Sequence, residues 1–454
     1  MLYKTTVKDE NTKSTILFLL LQMKTSLLSV IFLFIGASFY HKNEKPSLAS
    51  TKIWGFFAHK RINRLAVFIL PSDMLYLYKK EIDYITEHAI DPDKRRYVVP
   101  TEGYRHYVNL DKWAFLPQDK TDALILHSEI FVVTAKNDTL KLTDYQSIRK
   151  VKRDYILKSK AIRKLFGRDS IAVADSFLRR FFIYNIGKIQ PDDPLPISSD
   201  SFKLLFWKER FSFKDSIKSV FAMDKLTQTG ILPYHLFSLQ KQLTDAFLDK
   251  DKIRILKLSA EMGHYLADAH VPLHTVSNYD GQFTNQSGVH AFWESRLPEL
   301  FADARYDFFV GRADYIEKPK EYFWNIVLES HKLANKVLQI EKEISENYPP
   351  DKKYCIETSS NSVALQKQCF DYAQLYHDKL DGMVEEQMRK AIFALGSSWY
   401  TAWVDSGQPD LNDLKIIDRA TRAKEAVLDS LALLKADSLM FNEGKMLGQD
   451  EGKQ

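Results

Sequence analysis

The segment 264–274 carries three metal-binding side chains at a spacing that limits how the chain can fold there. His264 and Asp268 are four residues apart, so on a helix both project from one face, about one turn from each other. Pro272 disfavours helical backbone at Val271, which ends the helix and lets His274 turn back. Since imidazole and carboxylate are zinc ligands, the segment predicts a helix that ends at a metal-binding group.

A second pair, His290 and Glu294, repeats the four-residue spacing. One such pair alone is more often a surface hydrogen bond than a metal site. Two pairs together with His274, separated by the Gly- and Asn-rich loop 278–288, favour a ligand cluster. His270 falls on a different helical face from His264, which favours packing or support of a neighbouring ligand.

Apolar residues at helical spacing dominate the second half of the chain. They predict long helices at 236–248, 252–269, 321–344, 362–403 and 413–434. Near the N-terminus, 54–70 predicts a first helix that stops at Pro71, Ser72 is expected to cap a second, and 88–101 is expected to be a charged loop. The fold class predicted is mainly α: a multi-helix bundle around the metal site, with an inserted subdomain.

The insertion is expected at 112–230, where the pattern changes. Segments 123–133 and 139–142 flank Lys136-Asn137-Asp138 and predict a short β-hairpin, followed by basic helical segments. The expected divisions are therefore 1–53 as targeting segment and linker, 54–111 with 231–440 as the helical domain, 112–230 as the insertion, and 441–454 as a polar tail.

The stretch 16–40 is almost wholly apolar and indicates a targeting segment. Met23 and Lys24 followed by the apolar run 27–36 favour a signal peptide that starts at Met23. We therefore expect an exported protein, periplasmic or extracellular, with an uncleaved membrane anchor as the alternative.

Net charge and cysteine content bear on the binding partners and on the kind of metal site that can be expected. The net charge of +5 is not concentrated in a basic block, so it neither supports nor excludes nucleic-acid binding. The two cysteines, Cys355 and Cys369, are too few for a Cys-rich zinc site. Export favours a disulfide between them, and two buried thiols are the alternative.

The string His-Tyr-Leu-Ala-Asp-Ala-His-Val-Pro-Leu-His at 264–274 resembles the signature of the zinc-dependent phospholipase C and class I single-strand-specific nuclease superfamily. Members are mostly helical and hold three zinc ions with an N-terminal Trp, five His and three acidic residues. The opening Trp54-Gly-Phe-Phe-Ala-His59 is similar to that of the nucleases, and the whole resemblance covers 54–106 and 260–300.

The resemblance implies a ligand set for each zinc ion. Asp91 and His106 resemble the Asp and His of the first pair, with Asp93 as a rival carboxylate. The implied sets are Asp91, His106, His264 and Asp268; Trp54, His59 and the bridging Asp268; and His274, His290 and Glu294.

Three residues depart from the family pattern. Trp54 can bind zinc through its amino group only if the signal peptide is cleaved after Ile53. Cleavage after Ala49 matches the signal-peptidase preference better. If Trp54 is not the mature N-terminus, two zinc ions are expected. Asn109 stands where nucleases carry an Asp, and the register of Asp111 differs. Glu294, the last carboxylate ligand, matches the residue that the phospholipases carry at this position.

The resemblance implies a zinc-dependent phosphodiester hydrolase that uses a zinc-activated water. Asp268 would bridge two ions and Asp91 would act as a base. Lys94, Arg95 and Arg96 follow Asp91, and of these Lys94 and Arg95 are taken as the candidates for binding a substrate phosphate, with a solvated charge run as the alternative. The expected substrate is a phospholipid, with peripheral membrane contact, or single-stranded nucleic acid. An exported metal-binding or partner-binding protein with weak or lost catalysis is the alternative.

Overall fold

The chain is described by a computed structural model over residues 56–99, 101–113, 120–143, 147–183, 217–358 and 364–415. Helices provide most of the secondary structure, as expected for the fold class. In chain order they are α1 (Phe57–Ala66), α2 (Ser72–Lys80), α3 (Ile82–Glu87), α4 (Asp91–Arg95), α5 (Lys120–His127), α6 (Lys160–Phe166), α7 (Asp175–Ile183), α8 (Leu232–Leu248), α9 (Lys252–Ala269), α10 (Val289–Ala291), α11 (Leu297–Arg305), α12 (Pro319–Asn347), α13 (Phe370–Lys379) and α14 (Met383–Asp405).

Most of the predicted helices are present with shifted ends. The bounds of α9 are those predicted, because Asp251 caps its first turn, with Oδ1 accepting from the Arg254 amide at 3.3 Å, and Pro272 follows its end. The expected loop 88–101 is wrong, since α4 lies within it. The described part of the expected helix 362–403 begins with a strand, Ala364–Gln368, and a turn at 380–382 divides the rest into α13 and α14. Of the expected helix 413–434, residues 413–415 are not helical, and 416–434 lie outside the described residues.

The strands form small antiparallel sheets. They are β1 (Ser128–Thr134), β2 (Thr139–Lys141), β3 (Ile148–Val151), β4 (Asp154–Lys158), β5 (Ser170–Ala174), β6 (Ile217–Asp224), β7 (Tyr354–Thr358) and β8 (Ala364–Gln368). The sheet orders are β2-β1-β6, β3-β4-β5 and β7-β8.

The predicted hairpin in the insertion is present as β1 and β2. Val132 pairs with Leu140, and Asn137 adopts φ 66° in the turn. The helix α5 takes up the first half of the stretch expected to be a strand. Strands β3 to β6 lie where mainly helical segments were expected. The alternation of buried and exposed residues in β4 and β6 is the two-residue period of a strand.

Helix α9 lies at the centre of the helical core. Its residues from Leu258 to Ala269 are buried, and it packs against α1, α8, α12 and α14. Gly263 allows the close approach of α1, because a Cβ at this position would lie 1.8 Å from Oδ1 of Asn63. The Nδ2 of Asn63 donates to the carbonyls of Ile85 and Ala260, each at 3.0 Å. This contact holds α1 against α9 near the candidate ligand residues of both helices.

A disulfide closes the β7-β8 hairpin. Cys355 and Cys369 are bonded, with Cα atoms 5.1 Å apart, so the disulfide alternative is the one the structure contains. The Arg296 side chain, two residues beyond Glu294, donates to the carbonyl of Gln368 and pairs with Glu357 on this hairpin. The hairpin therefore packs against the segment that carries Glu294.

The targeting segment 1–53, the residue Trp54 and the tail 441–454 lie outside the described residues. Among the described residues, none of the helices combines the length and the apolar character that a bilayer span requires.

Candidate metal centre

Seven of the predicted ligand residues come together at the C-terminal end of α9. His59 comes from α1, His264 and Asp268 from α9, and His106 follows a 3₁₀ turn, Gly103–Arg105. His274, His290 and Glu294 complete the set. Within each of three groups, the potential ligand atoms lie within 4.8 Å of one another: His59, His264 and Asp268; Asp93, His106 and His264; His274, His290 and Glu294.

The third group has the same residues as the third ligand set that the family resemblance implies. Nε2 of His274 lies 2.8 Å from Nε2 of His290 and 3.4 Å from Oε2 of Glu294. His290 is on α10, and Glu294 follows in a π-helical turn, Phe292–Arg296, a local widening that is frequent at functional sites. The four-residue spacing places Nε2 of His290 2.8 Å from Oε2 of Glu294.

The carboxylate beside His106 is Asp93, not Asp91. Oδ1 of Asp93 lies 3.7 Å from Nδ1 of His106 and 3.6 Å from Nε2 of His264. Oδ2 of Asp91 is hydrogen-bonded to Nδ1 of His88 at 2.6 Å. Helix α4 begins at Asp91, with Pro92 in its first turn, and residues two apart on a helix point about 200° from each other. Because of this helical phase, we assign the ligand to Asp93 and no longer assign a ligand or a base to Asp91.

Asp268 lies between the groups. Its Oδ2 is 2.9 Å from Nδ1 of His106 and 3.4 Å from Nε2 of His264. Its Oδ1 is 3.8 Å from Nε2 of His59, and also 3.8 Å from Nδ1 of His274. Because its two oxygens face different partners, Asp268 has the placement of a bridging carboxylate.

Backbone carbonyls orient two of the imidazoles. Nδ1 of His264 bonds to the carbonyl of Ala89 at 2.9 Å, and Nδ1 of His274 bonds to the carbonyl of His106 at 2.6 Å. A carbonyl only accepts, so each Nδ1 carries the proton and, in the neutral ring, the lone pair is on Nε2. Both lone pairs face the cluster, as metal coordination requires.

Burial and mutual contact shift the pKa values of the cluster. Burial, with the nearby charge of Arg96, holds the pKa of His106 well below its usual value. Burial opposes ionisation of Glu294, but hydrogen bonds with His274, His290 and His59 lower its pKa well below normal. Burial raises the pKa of Asp268, despite the proximity of His274. Burial thus favours the neutral forms of His106 and Asp268, whereas the three imidazoles stabilise the negative charge of Glu294.

The donor set fits a divalent metal. Imidazole nitrogens and carboxylate oxygens are the donors zinc takes at about 2 Å, and ligands around one tetrahedral ion lie about 3.3 Å from each other. Contacts of 2.8 to 3.4 Å within the third group are close to that spacing. His59 and His106 contact the cluster through Nε2 and Nδ1, respectively, and their opposite ring nitrogens are buried without a hydrogen-bond partner among the described residues.

A cleft opens onto the cluster. Arg96, Tyr107, Asn109 and Tyr279 line it together with the imidazoles of His106, His274 and His290. Arg96 is half-buried, and its Nη2 lies 3.2 Å from Oδ1 of Asp93. The cleft therefore places a guanidinium and two phenols next to the imidazoles of the candidate ligand residues.

The cation facing the cleft is Arg96 and not Arg95. Arg95 is buried, with Nη1 2.6 Å from Oε1 of Glu261 and Nε 3.4 Å from Oε2 of Glu102. Arg95 shares a helical face with Asp91, four residues before it, whereas Arg96 shares the face of Asp93. Lys94, the other candidate for binding phosphate, is half-buried on the same short helix and is not among the residues that line the cleft. Arg95 is therefore structural, and its expected role in substrate binding is corrected.

Asn109 and Asp111 occupy different environments. The backbone N–H of Asn109 donates to the carbonyl of Thr229 at 2.7 Å, and the residue lines the cleft. Oδ1 of Asp111 accepts from the amide of Ser277 at 3.0 Å, and its Oδ2 accepts from the hydroxyl of the same serine. Asp111 therefore holds the loop after His274, which leaves Asn109 at the cleft.

Sequence reasoning missed the residues around the ligands. Glu102, Tyr265, Tyr107 and Tyr279 were not singled out, and the only sequence signal is that Glu102 precedes His106 by four residues. Trp54 lies outside the described residues, so the set implied for its zinc is described only at His59 and Asp268. Comparisons with protein-family models, curated proteins and solved structures gave no match, so the three ligand groups carry the functional argument.

Proposed function

We propose that the protein is an exported zinc-dependent phosphodiester hydrolase whose centre is built on α9. The observation that carries the proposal is the convergence of three metal-capable groups, joined by Asp268 and His264, at the end of a cleft. A structural metal site needs one closed group of four ligands, whereas adjacent groups beside an open cleft are typical of hydrolytic sites.

The protein supplies the positions for the metal ions. Asp93, His106 and His264 would hold one ion, and Asp268, which forms a group with His59 and His264, would extend the site towards His59. His274, His290 and Glu294 would hold another ion. Zinc bound in such groups lowers the pKa of a bound water to about 7 and neutralises charge on phosphate oxygens.

Residues of the cleft bind and orient the substrate in this proposal. Arg96 donates to the phosphate oxygens, since a guanidinium binds a phosphate through two parallel hydrogen bonds. The side-chain amide of Asn109 provides a neutral hydrogen bond near the same oxygens. The rings of Tyr107 and Tyr279 contact the group attached to the phosphate, either a nucleoside or the head of a phospholipid.

The zinc content and the activity of Asp268→Ala test the proposal. We expect wild-type protein to hold two or three zinc ions per chain and to cleave a chromogenic phosphodiester. The variant should lose metal at the bridged positions and all measurable activity, because one carboxylate serves two groups. Full activity with undiminished zinc in the variant would contradict the proposal.

The choice of substrate is tested by parallel assays with single-stranded DNA and phosphatidylcholine vesicles. Cleavage of either substrate, abolished by a chelator and restored by zinc, supports the proposal and identifies the branch. The second candidate is a metal-binding protein without catalysis, favoured by Asn109 at the place of an expected Asp. Bound zinc without cleavage of any of the three substrates would establish that candidate.

A further inference from the structure

A carboxylate lies behind the metal-facing side of His106. The Nδ1 of this imidazole faces the cluster, 3.0 Å from Nε2 of His264 and 2.9 Å from Oδ2 of Asp268. Its Nε2 points away from the cluster, is buried, and has no hydrogen-bond partner among the described residues. Oε1 of Glu102 lies 4.0 Å from this Nε2.

Glu102 is fixed by three neighbours. It is 1 % exposed, and its Oε1 accepts from the hydroxyl of Tyr265. Its Oε2 accepts from Nη1 of Arg105 at 2.9 Å and from Nε of Arg95 at 3.4 Å. These three contacts fix the direction of both carboxylate oxygens. Glu102 therefore holds an acceptor oxygen in a fixed position beside Nε2 of His106.

We propose that Glu102 is a positioning residue for the metal centre, whose carboxylate favours the His106 tautomer with the proton on Nε2 and the lone pair on Nδ1. This inference rests on the proposed metal centre and adds to it. His264 and His274 have backbone carbonyls for the same purpose, but their proton is on Nδ1 and their lone pair on Nε2. His106 binds through the opposite nitrogen, so its orientation depends on the side chain of Glu102. Partners of this kind typically contribute about 10- to 100-fold to metal affinity.

The matched control is Glu261. Its Oε1 accepts from Nη1 of the same Arg95 at 2.6 Å, and its other ion pair is with Lys257. Glu261 is also buried, so Glu261→Gln removes a comparable charge from the Arg95 network without removing the charge that faces His106. Loss of network stability alone would affect both variants alike.

The experiment measures zinc dissociation constants by chelator competition for wild type, Glu102→Gln and Glu261→Gln, with His106→Ala to identify the site. Thermal melting of the metal-free proteins is recorded in parallel. We expect Glu102→Gln to weaken zinc about 10- to 100-fold at the site that His106→Ala removes, and Glu261→Gln to change it less than about threefold. The metal-free melting temperatures of the two variants should fall alike.

Equal zinc affinity in Glu102→Gln and wild type would overturn the inference, and so would equal weakening in both variants. If Glu102→Gln does not fold, Glu102→Asp and Glu261→Asp decide the question, because shortening only the first carboxylate withdraws charge from Nε2. Equal affinity of these two would again overturn it. A wild-type protein that binds no zinc would overturn the metal centre itself, which separates the two failures.

Discussion

The imidazole of His274 donates from Nδ1 to the backbone carbonyl of His106, 2.6 Å away. The ring of His106 belongs to one ligand group, and its carbonyl orients a ligand of another. Because the link uses the main chain, it survives removal of the imidazole. His106→Ala should therefore lose the metal of its own group and keep that of His274, His290 and Glu294.

The complementary change is His290→Ala, which should remove the metal of the third group only. Zinc per chain, measured by elemental analysis, is expected to fall by about one equivalent in each variant, because each removes a ligand of a separate group. A complete loss of zinc from His106→Ala would contradict this separation of the groups.

Asp93 and Asp91 should differ sharply in their effect on metal binding. Asp93→Asn removes a charged ligand and should weaken zinc by about tenfold or more, at least as much as loss of an outer partner. Asp91→Asn should change zinc affinity little, because its carboxylate is bonded to His88. Chelator competition on both proteins gives the comparison, and the reverse order would restore the original assignment.

Arg96→Gln should impair substrate binding while the protein retains its zinc. Loss of hydrogen bonds between a charged donor and a phosphate costs about 1.5 to 3 kcal/mol, so kcat/KM should fall about 10- to 100-fold. Lys94→Gln on the same helix serves as the control and should remain near wild type. Steady-state kinetics with a phosphodiester measure this effect. An unchanged kcat/KM for Arg96→Gln would show that Arg96 does not bind the substrate phosphate.

Gly263→Ala should destabilise the protein by about 1 to 3 kcal/mol, the usual cost of overpacking. The added Cβ would lie 1.8 Å from Oδ1 of Asn63, so α1 would have to move. Chemical denaturation measures the free energy of unfolding. In combination with Asn63→Ala the cost should be less than additive, since the clash is removed. Strict additivity would mean that the two residues do not limit the approach of the helices.

His127 should make the folded protein less stable in acid. Burial lowers its pKa from 6.5 to about 4, so between these values the unfolded chain binds a proton that the folded chain does not. Stability therefore falls as pH drops from 6.5 to 4, by on the order of 3 kcal/mol, and is unaffected above 6.5.

The control for this pH dependence is His127→Phe, which keeps a ring against Trp113 without a titrating group. The difference in the free energy of unfolding between the two proteins should change over this pH window and be constant above it. A constant difference from pH 4 to 8 would show that His127 titrates normally.

Helical spacing allowed much of the centre to be predicted. The pair His264 and Asp268 and the pair His290 and Glu294 lie on helical turns, so sequence distance translated directly into spatial distance. The end of α9 was predictable for the same reason, because Pro272 limits the backbone before it.

The errors came from backbone whose phase the sequence did not reveal. The stretch around Asp91 was expected to be a loop, in which neither carboxylate has a fixed direction. Once α4 is present, one rotation of the helix explains both corrections: Asp93 and Arg96 face the cluster, and Asp91 and Arg95 do not. Glu102 could not be assigned, because its relation to His106 depends on the 3₁₀ turn between them.

The rotation of α4 also determines which changes this stretch can accept. Substituting a residue on its outer face leaves the direction of Asp93 unchanged. Inserting or deleting one residue before Asp93 would turn the remainder of the helix by about 100° and carry the carboxylate and the guanidinium away together. The number of residues between Ile90 and Asp93, more than their identity, is therefore what the centre requires to stay constant.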